Sequence, residues 1–166
     1  FKGDKKPVEQ ITWDDSQKFC EKTGLKLPTE AQWEYSCRAG CSGAFYFGNQ
    51  FSLLNEHAWY DENSEGGTHS VGMKKHNAFG LHDTLGNVWE FCVDSCDWQN
   101  RVMTDTYLDG MKDPKCDDGG YKVIRGGGWY FSMQFCRCAS RYVVSRLDRF
   151  FALGVRFAGE IPSLKW

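Results

Sequence analysis

Lys122-Val-Ile-Arg125-Gly-Gly-Gly-Trp129 and Ala152-Leu153-Gly154-Val155-Arg156-Phe157 bracket the stretch on which the fold turns. Each bracket is a short branched or aromatic run bordered by glycine, a pattern that predicts a strand. Between them Tyr130, Phe131, Phe135, Tyr142, Val143, Val144, Leu147, Phe150 and Phe151 keep neither a helical nor a strand period for long. Arg137, Arg141, Arg146 and Arg149 punctuate them. The segment therefore reads as loop, and apolar side chains at that density in loops indicate a contact surface.

Working outward, Thr12-Trp-Asp-Asp15 sets a capping hydroxyl three residues ahead of a carboxylate, which predicts a helix over Trp13 to Thr23 closed by Gly24. Thr29 with Gln32 repeats the device and predicts a second helix over Glu30 to Ala39, stopped by Gly40. Gly43 to Asn77 is rich in Gly, Asn, Ser and His and reads as long loop. Strands are predicted at Val88 to Val93, Tyr121 to Arg125 and Leu153 to Ala158, with an acidic surface excursion over Gln99 to Gly120. Helices early, strands late and much irregular chain make an α+β fold.

A chain of 166 residues is one domain's worth, so 1–166 is expected to form a single domain. The net charge of −2, with no run of Lys or Arg beyond two residues, lacks the electrostatic footprint of a nucleic-acid binder. No apolar run approaches the ~20 residues of a membrane span. Eighteen glycines against four prolines, with 16% aromatics, suggest irregular backbone held by large side chains. The eight cysteines allow 105 pairings, and none shows the two-residue knuckle of zinc sites, so buried thiols with one or two bridges are the expectation.

Four strings are then recognisable together: Leu27-Pro-Thr-Glu-Ala-Gln-Trp-Glu-Tyr35, Asn77-Ala-Phe-Gly-Leu-His-Asp-Thr-Leu-Gly-Asn-Val-Trp-Glu-Phe91, Val123-Ile-Arg-Gly-Gly-Gly-Trp129 and Leu153-Gly-Val-Arg-Phe157. In this order, over Val8 to Ala158, they resemble the formylglycine-generating enzyme (sulfatase-modifying factor) family. The resemblance implies a C-type lectin-like fold with little regular structure, and a chain that is the C-terminal part of a longer protein. Trp33, Trp89 and Trp129 have the size to organise a core, and Arg125, Arg141 and Arg156 can bridge carboxylates bidentately. The resemblance also implies a Ca2+ site on the side chains of Asp83 and Glu90 and the carbonyls of Gly86 and Val88, hard oxygen ligands of the kind that ion takes.

Family members that make formylglycine use a cysteine pair, with copper bound by thiolates, shortly after the Arg-Gly-Gly string. Here Tyr130-Phe-Ser-Met-Gln-Phe135 contains no cysteine, and Cys136 and Cys138 are separated by one residue. Catalysis and copper are therefore both expected to be absent. The alternative, a formylglycine-generating-type oxidase acting on a protein cysteine, requires Cys136 or Cys138 to be an exposed thiol of low pKa. His57, His69, His76 and His82 are scattered and accompany no nucleophile elbow or zincin motif.

The same strings are similar to a second group on this fold, the variable proteins of diversity-generating retroelements, treponemal variable proteins among them. Their stretch between the two bracketing strings is rewritten by mutagenesis at adenines, chiefly in asparagine codons. Such codons reach Tyr, Phe, Ser, Val, Asp and Leu but not Met or Gln, which separates Met133 and Gln134 from their neighbours. A variable ligand-binding region over 130–153 is expected, its contacts made by Tyr130, Phe131, Ser132, Phe135, Ser140, Tyr142, Val143, Val144, Asp148, Phe150 and Phe151. Burying nine further large side chains at about 1.5–3 kcal/mol each would exceed the stability domains show, which favours surface over core. Aromatic anchors beside arginines suit a protein or peptide ligand, with a glycan as the other option. The resemblance further implies a monomeric, non-catalytic domain outside the cytoplasm, displayed at the cell surface by a lipoprotein anchor beyond this chain.

Overall fold

The capping signals produce the helices they predict. In the computed structural model, which describes residues 3–97 and 110–159, α1 spans Trp13–Thr23 and α2 spans Glu30–Arg38. Thr12 and Asp15 form a reciprocal capping box on α1, and Thr29 and Gln32 form one on α2. α2 ends one residue early because Ala39 takes the left-handed conformation, φ 47°, and closes the helix itself. A further one-turn helix, α3, covers Leu54–His57.

Four strands form one sheet in the order β3-β2-β1-β4: β1 Trp89–Cys96, β2 Tyr121–Arg125, β3 Arg141–Ser145 and β4 Leu153–Gly154. β1 and β2 are antiparallel, as are β2 and β3, while β4 joins β1 in parallel. β1 runs three residues further than predicted, through a register irregularity between Phe91 and Ser95. β4 is shorter than predicted; Ala158 makes only an isolated bridge to Lys26. Residues 98–109 of the expected surface excursion lie outside the described residues.

The loop reading of residues 130–153 is corrected at β3. Successive strand residues point to opposite faces, and this sheet is buried on both. Glu90 and Cys92 of β1, Val123 of β2 and Val143 of β3 face α2, whereas Trp89, Phe91, Ile124 and Val144 face the side of Trp13 and Leu153. A strand covered on both faces shows adjacent apolar residues with no polar alternation. Val143 and Val144 of β3 are such a pair, one on each face, while Tyr142 before them stays exposed.

Buried charge ties the sheet to α2. Glu30 accepts from Arg125 Nη1 at 2.8 Å and from Arg141 Nε at 2.6 Å, and Arg125 also reaches Glu34 and, at 2.7 Å, the Cys138 carbonyl. Asp94 of β1 accepts the Glu30 N–H at 2.7 Å, so a strand carboxylate caps the helix start. Arg156 grips Glu90 through Nε and Nη2. The three arginines bridge carboxylates, as the guanidinium fork allows. The triple glycine serves close packing: at Gly127, φ 78°, a Cβ would lie 2.9 Å from the Phe135 carbonyl oxygen.

Candidate ligand-recognition surface

Residues 130–153 leave β2 and return at β4, and both ends are fastened. The Trp129 N–H donates to the Asn87 carbonyl at 2.8 Å, and its indole Nε1 donates to the Phe151 carbonyl at 3.0 Å, linking the start of the segment to its end. Ser64 Oγ donates to the Trp129 carbonyl at 2.8 Å. The tight turn after β3 is closed by Asp148, whose carboxylate accepts the Ser145 N–H at 2.8 Å, and is pinned to α1 by a bidentate Arg146–Asp14 pair at 2.9 Å.

On this frame aromatic side chains gather and face outward. Tyr130 is 63% exposed, Phe151 44% and Tyr142 37%. The Tyr130 and Phe151 rings meet edge to face at 5.7 Å, and Phe131 continues the cluster inward against Trp89 and Phe135 at 5.6 Å from each. Beside them opens a cavity of about 520 Å³ lined by Tyr121, Phe131, Tyr142, Val143, Val144, Ser145, Asp148 and Phe150.

Of the eleven expected contact residues, Tyr130, Tyr142, Asp148 and Phe151 are exposed and Phe131, Ser132, Phe135 and Phe150 half-buried. Ser140, Val143 and Val144 are corrected: they are buried, the valines at 4% and 7% exposure, one in each core cluster. The two valines line the cavity beside the exposed rings. Burial of these side chains does not overshoot the stability of a domain, because chain entropy offsets most of such a gain. Tyr121 and Ser145, paired in register across β2 and β3, line the cavity without having been expected there. Only the pairing of β3 with β2, absent from a loop reading, could have shown them. Leu147, 66% exposed at the turn, adds an apolar tip.

Of the four residues expected to hold Ca2+, Asp83, Gly86 and Glu90 meet protein partners in this structure. Asp83, Val88 and Glu90 line one cavity of about 550 Å³, together with Arg156. Both Glu90 oxygens are committed, to Arg156 and to Trp33 Nε1 at 2.7 Å, so the guanidinium cation already holds the charge a metal would need. Asp83 gives Oδ2 to the Gly72 N–H at 2.7 Å and keeps only Oδ1, buried and unbonded. Gly86 is bridged to Trp59, with its N–H on the Gly126 carbonyl.

Neither candidate thiol is exposed. Cys136 is fully buried, and burial pushes its thiol up to about 12. Cys138, also buried, is held below the ordinary thiol value by the hydrogen bond it accepts from Cys37, whose sulfur lies 3.6 Å away. The histidines make local contacts: His57 meets Tyr46 Oη at 3.1 Å, His69 stacks on Trp59, and the Nδ1 atoms of His76 and His82 sit on backbone carbonyls.

Residues 2–161 match the family model described as the sulfatase-modifying factor enzyme 1-like domain. The chain belongs to this family. The formylglycine-generating enzyme of Thermomonospora curvata is 32% identical over 153 residues, covering 84% of this chain and 48% of the relative. The bovine inactive C-alpha-formylglycine-generating enzyme 2 is 28% identical over 153 residues, covering 74% of this chain and 51% of the relative. The chain thus spans about half the length of these relatives. Among solved structures, Treponema denticola variable protein 1 superposes with a TM-score of 0.80 at 26% identity, over 92% of this chain and 70% of that one. PvdO from Pseudomonas aeruginosa gives the same score at 29% identity, over 97% and 64%.

These relatives correct the expectation that the chain has no catalytic activity. Proteins from bacteria and mammals that share this domain at 30–32% identity are named formylglycine-generating enzymes. An unfamiliar cysteine spacing after the Arg-Gly-Gly string does not separate the chain from an enzyme family.

Proposed function

We propose that this domain recognises a ligand, a protein or peptide in preference to a glycan, on the face formed by Tyr130, Phe131, Tyr142, Phe150 and Phe151. The observation that carries it is the outward cluster of aromatic side chains beside an open cavity of about 520 Å³, on a segment fastened at both ends. Large rings on a rigid base lose little freedom on binding and supply most of the energy in protein interfaces. The likeness to Treponema denticola variable protein 1 supports a fold in which this segment varies while the frame stays constant. In this reading the variation comes from a diversity-generating retroelement, and the domain is displayed at the cell surface by a lipid anchor outside this chain.

A panning experiment against peptide and glycan libraries tests it. Peptides captured by the wild-type domain and lost on Tyr130→Ala or Phe151→Ala support the reading; capture that survives both changes defeats it. The genome supplies a second check. A near-copy of the coding segment for residues 130–153, differing only at adenines and lying beside a reverse-transcriptase gene, is expected.

A second reading, oxidation of a protein cysteine to formylglycine, is favoured by the relatives' names and by the lowered pKa of Cys138. It requires buried Cys138 to become accessible, and the aromatic face would then dock the substrate. Aldehyde formation in a cysteine-containing sulfatase peptide, abolished by Cys138→Ser, would establish it.

A further inference from the structure

His76 and His82 flank a turn that Asn77 builds. The Asn77 N–H donates to the Leu81 carbonyl at 3.0 Å, and its side-chain oxygen accepts the N–H groups of Phe79 and Leu81, each at 3.0 Å. Its Nδ2 donates to the carbonyls of Ser36 at 2.7 Å and Cys37 at 3.0 Å, which fastens the turn to the last turn of α2. Buried Asn77 thus has its full hydrogen-bonding capacity met by backbone, and the two histidines stand at the ends of a rigid loop.

Hydrogen bonding also fixes the tautomer of both rings. His76 Nδ1 lies 2.7 Å from the Asn77 carbonyl, and His82 Nδ1 lies 2.7 Å from the Lys74 carbonyl. A carbonyl only accepts, so in the neutral ring each Nδ1 carries the proton and each Nε2 presents a lone pair. Histidines that ligate metals are held in this way, the other ring N–H on a carbonyl. The two ring centroids are 5.2 Å apart, with the planes at 76°. Two imidazoles sharing a tetrahedral Zn2+ at about 2.0–2.1 Å from each Nε2 have centroids about 5 Å apart. Ligands at the right angle of a square-planar ion come closer together. The adjacent lysines are engaged elsewhere: Lys74 Nζ donates to the Asn55 carbonyl and lies 3.8 Å over the Trp59 ring, and Lys75 pairs with Glu56. His76 is exposed and His82 half-buried, so an ion in solution can reach them.

We propose that His76 and His82 together bind one Zn2+ ion through their Nε2 atoms. Imidazole nitrogen selects zinc and its transition-metal neighbours over Mg2+ and Ca2+, which take oxygen, and the ring separation suits a tetrahedral ion. Among the described residues no group of three or more His, Cys, Asp or Glu side chains is placed to hold a metal, so water completes the coordination and the ion exchanges with solvent. The site lies on the 76–82 turn and uses no residue of the aromatic face, so it does not depend on what that face binds.

Titration with zinc chloride tests the proposal. The whole chain, stripped of metal with a chelator and dialysed into neutral buffer, is titrated while imidazole nitrogen NMR spectra and binding heats are recorded. One ion per chain is expected, with the Nε2 signals of His76 and His82 shifting, their Nδ1 atoms staying protonated, and the signals of His57 and His69 unmoved. His76→Gln and His82→Gln should each weaken binding about tenfold or more, since losing even an outer-shell partner of a ligand costs that much. Magnesium chloride should produce neither heat nor shift. The proposal is overturned if a clear molar excess of Zn2+ leaves both Nε2 signals unchanged, if only one of them moves, or if the affinity survives both substitutions, which would assign the ion to cysteines or to the other histidines. Should either variant fail to fold, the wild-type imidazole spectra decide alone.

Discussion

Glu30 shows what one buried side chain does here: its carboxylate receives Arg125 and Arg141 from two neighbouring strands, while its own N–H is held by Asp94 of a third. Arg125 is 1% exposed, so Arg125→Leu would leave Glu30 with half its partners and Glu34 without its sheet contact. A loss of about 3–5 kcal/mol is expected in urea unfolding. Asp83 behaves differently, because burial raises its carboxyl pKa more than the Gly72 N–H and Arg156 lower it. Its folded value stands above the unfolded one, about 4. Its contribution to stability is therefore complete below that pH and declines as pH rises through the folded value. Asp83→Asn is expected to remove that decline, so melting temperatures of variant and wild type, measured from acid to neutral pH, should diverge in the variant's favour as pH increases. With Glu90 committed to Arg156, a calcium chelator is expected to leave the wild-type melting temperature unchanged; a fall of several degrees would show that Asp83 and Glu90 hold an ion after all.

At the scale of elements, α1 and α2 owe their starts to local chemistry, and removal of either capping hydroxyl, Thr12→Ala or Thr29→Ala, is expected to cost about 1 kcal/mol. β3 is held by its surroundings. Val143 and Val144 bury on opposite faces of the sheet, so Val→Ala at either position should cost about 2 kcal/mol by thermal or chemical unfolding. Tyr130→Ala, at 63% exposure, should cost under about 0.5 kcal/mol while weakening ligand capture. This contrast separates frame from surface within one segment. It also explains why β3 was not legible: Tyr142-Val-Val144 looks identical whether one or both of its faces are covered.

For the molecule as a whole, one sheet lies between two apolar clusters, with α2 on one side and Trp13 of α1 on the other. The helices, β2, the arginine bridges and the family could be read from caps, glycines and four strings. The aromatic part of the recognition face could be read as well, since Tyr130, Phe131, Tyr142, Phe150 and Phe151 follow from large apolar residues in a segment that has to turn back. Tyr121 and Ser145 could not, because they reach the cavity only through the β2–β3 register, a pairing of positions 24 residues apart.

By itself the sequence determined what depends on neighbours along the chain: both capping boxes, the glycines at tight approaches, the carboxylate–arginine complement and the strings that establish kinship. Tertiary structure alone decided what depends on distant partners. It buried Val143 and Val144 while leaving Tyr142 beside them exposed, committed Glu90 to Arg156, and brought Cys37 within 3.6 Å of Cys138. The reason is physical: burial and pairing are properties of surfaces brought together by folding, and no local pattern states which side of a strand another element will cover.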